Sequence, residues 1–207
     1  TQEATGIRVL GQFRDLDAPD RFVWLRGFSD MASRRDSLES FYNGPAWLAH
    51  RDAANATMID SDDVLLLKPV APASGFALDV SLPHVLHEDG GLLVATLYSF
   101  DAPVDMDFLE FFAADLHPAV AAAGARVIAS FSTEYATNTF PRLPVRAGEN
   151  VFISVTRYDS AEAHAGHEAA LAAAPAWQAF WQAAQLDLAK PSETLRLSPT
   201  SRSLVGR

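Results

Sequence analysis

The tripeptide Pro45-Ala46-Trp47 returns 130 residues later as Pro175-Ala176-Trp177. Each copy is followed at one distance by a Leu-x-Leu-x-Pro ending, Leu65, Leu67 and Pro69 in the first and Leu195, Leu197 and Pro199 in the second. The same offset carries Phe22 onto Phe152, Ala49 onto Ala179, and Ala53-Ala54 onto Ala183-Ala184 without a gap. Upstream, GIRVLGQF (6–13) matches GARVIASF (124–131) at an offset of 118. The 12-residue difference falls in one place, the connection after Phe13 or Phe131. Insertions of that kind belong in surface loops. Internal similarity at so long a period points to a duplicated domain rather than a solenoid.

Within the first copy, IRVLGQF and RFVWLRGF are short runs rich in Val, Phe and Trp, separated by the turn residues of RDLDAPD. They predict a strand pair. SDMASRRDSLESFY then places Met31, Leu38, Phe41 and Tyr42 near helical spacing, behind Ser29 or Asp30 as a candidate cap. Asn43-Gly44-Pro45 interrupts, because proline cannot continue a helix but suits the first turn of the next. A second helix is expected from about Pro45 to Ala56, and DVLLLKP is expected to close the copy as a buried strand. In the second copy a strand (91–100) and a helix (105–124) stand in front of the same pattern, completing β-α-β-β-α-β, the ferredoxin-like arrangement. The first copy has five residues before Gly6 where its counterpart has about thirty, so a preceding strand and helix are expected. A three-stranded sheet without its covering helix would leave apolar surface in water at ~25 cal/mol per Å².

The division that follows is 1–70 for the first copy, 71–91 for a connector, 92–200 for the second copy and 201–207 for a tail. The fold class is α+β, two ferredoxin-like halves forming a pseudo-dimer.

Charge and composition narrow the function classes. A net charge of −10 opposes unassisted binding to nucleic acid or anionic membranes, since both are polyanions. The absence of cysteine removes disulfides, thiolate metal sites and cysteine nucleophiles. No apolar run approaches the ~18 residues of a membrane helix, and TQEATGIRVL has no secretory pattern; the expected location is cytoplasmic. Nucleotide-loop, nucleophile-elbow and zinc-protease motifs are missing, and DSDDV lacks the glycine and closing glutamate of a calcium loop.

The stretch FVWLRGFSDMASRRDSLESFYNGPAWLAHRDAANATMIDSDDVLLLKP closely resembles the NIPSNAP family in its bacterial two-copy form. NTFPRLPVRAGENVFISVTRY (138–158) is similar to the second-copy segment of that group. The second-copy helix has diverged, lacking the R-G-F and F-Y-x-G-P elements. The resemblance implies a dimeric α+β barrel, in which two ferredoxin-like sheets face one another with helices outside. That superfamily includes cofactor-free monooxygenases acting on quinols and polyketides, stress-responsive barrels, and haem-binding dismutases and peroxidases. It also implies a homo-oligomer, a dimer. The fold alone licenses no reaction.

A cofactor-free oxygenase must orient an electron-rich substrate and stabilise its anion. Arg26 shares a strand face with Trp24 and Phe28, and its guanidinium suits an enolate or phenolate oxygen. Trp47, Arg51 and Asn55 fall on one helix face with His50 beside them. His50 is the candidate base and Asn55 the residue that positions oxygen or a carbonyl. Arg26, His50 and Asn55 are thus the catalytic candidates, with Trp24, Tyr42, Trp47, Arg51 and Arg142 lining an apolar pocket between sheet and helices. The partner is a small hydrophobic molecule, with no cofactor and no metal. Against this, Trp47 recurs as Trp177, as a core residue would, and His50 is replaced by Phe180 and Asn55 by Gln185. A non-catalytic module that binds a hydrophobic ligand or a protein is the alternative. Haem binding is a further one, with HAGHE (164–168) supplying His164, His167 and Glu168 within a helical turn; a solvated helix face accounts for the same pattern. NTFPRLPVRAGEN (138–150), with Arg142 and Arg146, is either a lid over the second-copy pocket or a surface loop.

Overall fold

The alternating apolar runs of both copies pair into one antiparallel sheet in the computed structural model, which describes residues 1–78, 91–184 and 188–205. Its strands are β1 (Arg8–Asp15), β2 (Phe22–Gly27), β3 (Leu67–Pro69), β4 (Leu92–Phe100), β5 (Arg126–Thr133), β6 (Asn150–Tyr158) and β7 (Leu188–Pro199). They lie in the order β2-β1-β7-β4-β6-β5-β3, and the sheet curls into a half-barrel.

The two offsets of the sequence reappear in the hydrogen-bond register. Val9 faces Arg26 and, after a bulge, Gly11 faces Leu25. On the other side Val127 faces Thr156 and, after a bulge, Ala129 faces Val155. Both pairings and both bulges are related by the same 118 and 130 residues. Each closing strand then crosses to the other half: β7 pairs Pro199 with Phe13 and Leu197 with Asp15, while β3 pairs Pro69 with Phe131 and Leu67 with Thr133.

Helices α1 (Met31–Tyr42) and α2 (Pro45–Asn55) follow β2; α5 (Ala161–Ala172) and α6 (Pro175–Ala184) follow β6. Asp30 caps α1 by accepting from the Ser33 N–H at 2.7 Å, while the Asp30 N–H donates to Ser33 Oγ at 3.0 Å. This is a reciprocal box that satisfies two otherwise unpaired donors. Ser160 caps α5 in the same place, accepting from the Ala163 N–H at 3.1 Å. Between β4 and β5 the helix expected over 105–124 forms as α3 (Met106–Phe111), a π turn (Phe112–Leu116) and α4 (His117–Ala122). Pro118 explains the irregularity: it has no N–H to continue the ladder, and the His117 N–H reaches five residues back to Phe112 O.

Alternation along the strands separates two apolar layers. One face collects Phe13, Leu93, Ala95, Leu97, Ile153, Val155 and Leu197, and the loops add Phe76, Leu78 and Val205 to it. The other face meets the helices, in separate clusters around Tyr98–Phe112–Phe152, Leu92–Tyr158–Leu171 and Leu38–Tyr42–Phe140.

Two expectations need correction. DVLLLKP is not a buried strand: only Leu67–Pro69 pairs, at the sheet edge, with Lys68 and Pro69 exposed. Proline has no donor and is confined to such positions. In HAGHE, expected as a solvated face, the two histidines are instead packed, while Ala165, Gly166 and Glu168 are exposed. His164 and His167 are 5% and 4% exposed against the ring of Tyr158, with centroids 4.8 and 5.2 Å away. Within the connector, FALDVSL (76–82) has the pattern of an edge strand and lies partly outside the described residues.

Candidate anion-binding site

The alternation that points Val23 and Leu25 to the large core turns Trp24 and Arg26 to the helix side of β2. There the Arg26 guanidinium lies 4.6 Å from the centroid of the Trp24 ring, a cation–π distance. Arg26 Nη1 is buried and has no hydrogen-bond partner among the described residues. Arg34 of α1, only 4% exposed, lies within reach of the Arg26 charge, and its Nη1 donates to Asn138 Oδ1 at 2.9 Å. Burial, and after it the charge of Arg26, lowers the pKa of Arg34. No carboxylate pairs with either arginine among the described residues. Two neighbouring guanidiniums without a counter-ion form a local excess of positive charge in a partly desolvated place, and an anion is the complementary ligand.

The aromatic wall continues from Arg34 along α1. Tyr42 is buried, meeting Trp47 edge-on at 4.8 Å and stacking on Phe140 at 5.7 Å. Phe41 closes on Trp47 at 5.8 Å. Phe140 comes from the 12-residue insertion, which straps onto the first half rather than lying over a second-copy pocket. Thr139 Oγ1 donates to Met31 O at 2.9 Å, Arg142 Nη1 donates to Asn43 Oδ1 at 2.8 Å, and Asn138 Nδ2 donates to Leu143 O at 2.8 Å. The apolar gap between Ile7, Leu38 and Tyr42 is what Phe140 fills, so hydrophobic burial draws the loop there.

The eight residues expected to form a site therefore divide. Trp24 and Arg26 stand together on β2, Tyr42 and Trp47 form the neighbouring α1–α2 wall, and exposed Arg142 reaches Asn43 from the insertion. His50, Arg51 and Asn55 lie exposed along α2, with Arg51 donating to its neighbour Asp52 at 3.2 Å. Arg34 and Asn138 were not among those expected. The signal for Arg34 was its place four and eight residues before Leu38 and Tyr42, on the apolar stripe. Nothing in the sequence pairs Asn138 with it.

Elsewhere, a shallow cleft of about 280 Å³ at the start of β1 is lined by Glu3, Gly6, Ile7, Arg8, Val9 and Leu204 and holds none of the candidate residues. Among the described residues no group of three His, Asp or Glu is placed to hold a metal ion, and no helix is long and apolar enough to cross a membrane. No protein-family model matches the chain, and no curated protein matches it significantly.

Proposed function

We propose that this chain is a NIPSNAP-like protein of two ferredoxin-like copies, whose first half binds a small apolar molecule carrying an anionic oxygen. The strand order β7-β4-β6-β5 of the second half and the repeated registers support the duplicated reading. The observation that carries the ligand is Arg26 Nη1, buried beside Trp24 and within reach of the charge of Arg34, without an acceptor among the described residues. A phenolate or enolate fits both parts of that surface. Its ring lies against aromatic side chains, and its oxygen accepts from the guanidinium. An anion held in this way is also primed for cofactor-independent reaction with oxygen, because the electrons come from the substrate itself. Exposed His50 and Asn55 take no part in this reading.

The test is a titration of the protein with hydroquinone- and anthrone-type anions, following Trp24 fluorescence against a Trp24→Phe control and oxygen uptake in parallel. Saturable quenching is expected, weakened by Arg26→Ala. Loss of one hydrogen bond to a charged group, about 1.5–3 kcal/mol, corresponds to roughly 10- to 100-fold in affinity. Quenching that Arg26→Ala leaves unchanged removes the site. Binding without oxygen uptake leaves a ligand-binding module and removes the enzyme.

A further inference from the structure

The two halves differ at one place in a way the repeated register makes measurable. Phe152 of β6 is fully buried, with Phe108 and Phe112 stacked edge-on over it at 5.1 and 4.6 Å. Phe22, the same position of β2 at the offset of 130, is 57% exposed. In the second half the cover is the helix over Met106–Ala122, carried by β4, and β4 lies between β7 and β6. By the relation of the registers, the corresponding place in the first half lies between β3 and β2, the two end strands of the sheet. Both have an edge with no strand paired to it among the described residues.

Two further features mark the same place. Trp177 of α6 packs into the cluster of Phe112 and Leu116, whereas its counterpart Trp47 of α2 packs only with the rings of α1 and Phe140. The short turn before β1 is built as a helix ending. The Gly6 and Ile7 N–H groups donate to Glu3 O and Gln2 O at 3.1 and 3.3 Å, with Gly6 at φ 89°. At the end of α4 the Gly124 and Ala125 N–H groups donate to Ala121 O and Val120 O at 3.0 and 3.2 Å, with Gly124 at φ 93°. Both are helix C-caps of one type, which use a left-handed glycine to satisfy the last carbonyls. In the second half that cap closes a long helix; in the first it follows a single turn, Glu3–Thr5.

We propose that the edges of β2 and β3 and the exposed face of Phe22 receive one strand-and-helix unit, patterned like residues 92–122, whose helix runs into the capped turn at Gln2–Gly6. The strand pairs antiparallel with both edges and completes the arc of the sheet. The helix lays an apolar stripe, equivalent to Phe108, Phe112 and Leu116, across Phe22 and toward α2. A second copy of this chain does not meet these requirements, because among its described residues it offers the same two edges and no unpaired strand with a following helix. Exposed edges and exposed apolar faces are the two features that drive such pairing. This inference rests on the two-copy arrangement proposed above and not on the ligand.

The test places the chain's own residues 91–118 directly before Thr1, which the offset of 118 aligns with residue 119. Hydrogen exchange is followed at the backbone amides of Phe22–Gly27 and Leu66–Lys68. Alternate amides of these segments are expected to slow on the order of tenfold or more relative to the 207-residue chain, with the fusion monomeric. The same fusion with aspartate at the added copies of Phe108 and Phe112 is expected to lose that protection. If the fusion does not fold, a peptide of residues 91–122 added to the 207-residue chain gives the second measurement, with the same amides expected to slow. Unchanged exchange in both formats overturns the proposal. So does finding the 207-residue chain dimeric with these amides already protected, since a second copy then covers them.

Discussion

His167 Nδ1 lies 3.0 Å from the carbonyl oxygen of Ala123, tying the middle of α5 to the residue that follows α4. A carbonyl only accepts, so the ring nitrogen donates, which puts a proton on Nδ1. The bond satisfies one of the carbonyls a helix end leaves open. His167 is 4% exposed, so its loss removes packing against Tyr158 as well as the bond. His167→Ala is expected to cost about 2–4 kcal/mol in urea unfolding. His167→Asn, which can keep a donor near the same place, is expected to cost less. Equal losses in the two variants assign the effect to packing alone.

His164 gives the fold a pH dependence whose sign can be worked out. Its pKa is lowered from the usual 6.5, first by burial; Glu168, with an oxygen 3.7 Å from Nε2, opposes the shift, Arg196 and His167 add to it, and Asp17 opposes it weakly. A lowered folded pKa means the unfolded chain binds more protons in that range. Stability is then full above about 6.5 and falls as pH drops from there toward the folded value. Urea midpoints between pH 7.5 and 5 are expected to decline in the parent and to flatten over that window in His164→Gln. The carboxylates held low by hydrogen bonds, Asp17 to Arg196, Asp30 to Ser33 and Glu149 to Arg146, lose their contribution only at more acidic pH. They do not confuse the window.

Much of the sheet was legible because a gapless offset is a statement about register. If Phe13 and Phe131 are equivalent, and Pro199 and Pro69 are too, then the cross-half pairings Phe13–Pro199 and Phe131–Pro69 follow as a matched pair. What polarity patterns missed is tertiary. HAGHE reads as a wet face because histidine is polar, yet an imidazole edge packs well on the Tyr158 ring. DVLLLKP reads as buried because it is apolar, but Pro69 and Lys68 suit an edge, and Leu65 and Leu67 pack only partly. The insertion's destination could not be read at all, since it depends on a gap that only Phe140 fills. For the site, strand alternation placed Arg26 with Trp24, while helical spacing placed His50, Arg51 and Asn55 on a face that nothing covers among the described residues.

Arg34 and Asn138 are expected to respond in opposite ways. A buried guanidinium without a carboxylate carries a desolvation cost that one amide acceptor only partly offsets. Arg34→Met, similar in length and apolar, is therefore expected to leave stability unchanged or raise it by about 1 kcal/mol. Asn138→Ala removes the acceptor of both the Arg34 guanidinium and the Phe140 N–H, at 2.9 and 3.0 Å, and the donor to Leu143. It is expected to cost about 2–4 kcal/mol. The double variant is expected to recover part of that loss, so a double-mutant cycle in urea measures the coupling. Additive effects dissociate the two residues.

Phe22 and Phe152 make the sharpest comparison, one residue type at one strand position under different cover. Phe152→Ala removes a fully buried ring from contact with Phe108, Phe112 and Tyr98. Truncations of that kind cost about 3–5 kcal/mol. Phe22→Ala in the same 207-residue chain removes a ring that is mostly in water, and is expected to stay within about 0.5 kcal/mol. Thermal and urea unfolding of both variants give the two numbers directly. A large loss at Phe22 means that its ring is covered in solution, and that the face described as open is already occupied. A small loss there beside a large one at Phe152 puts the difference between the halves in their cover rather than in their sequence.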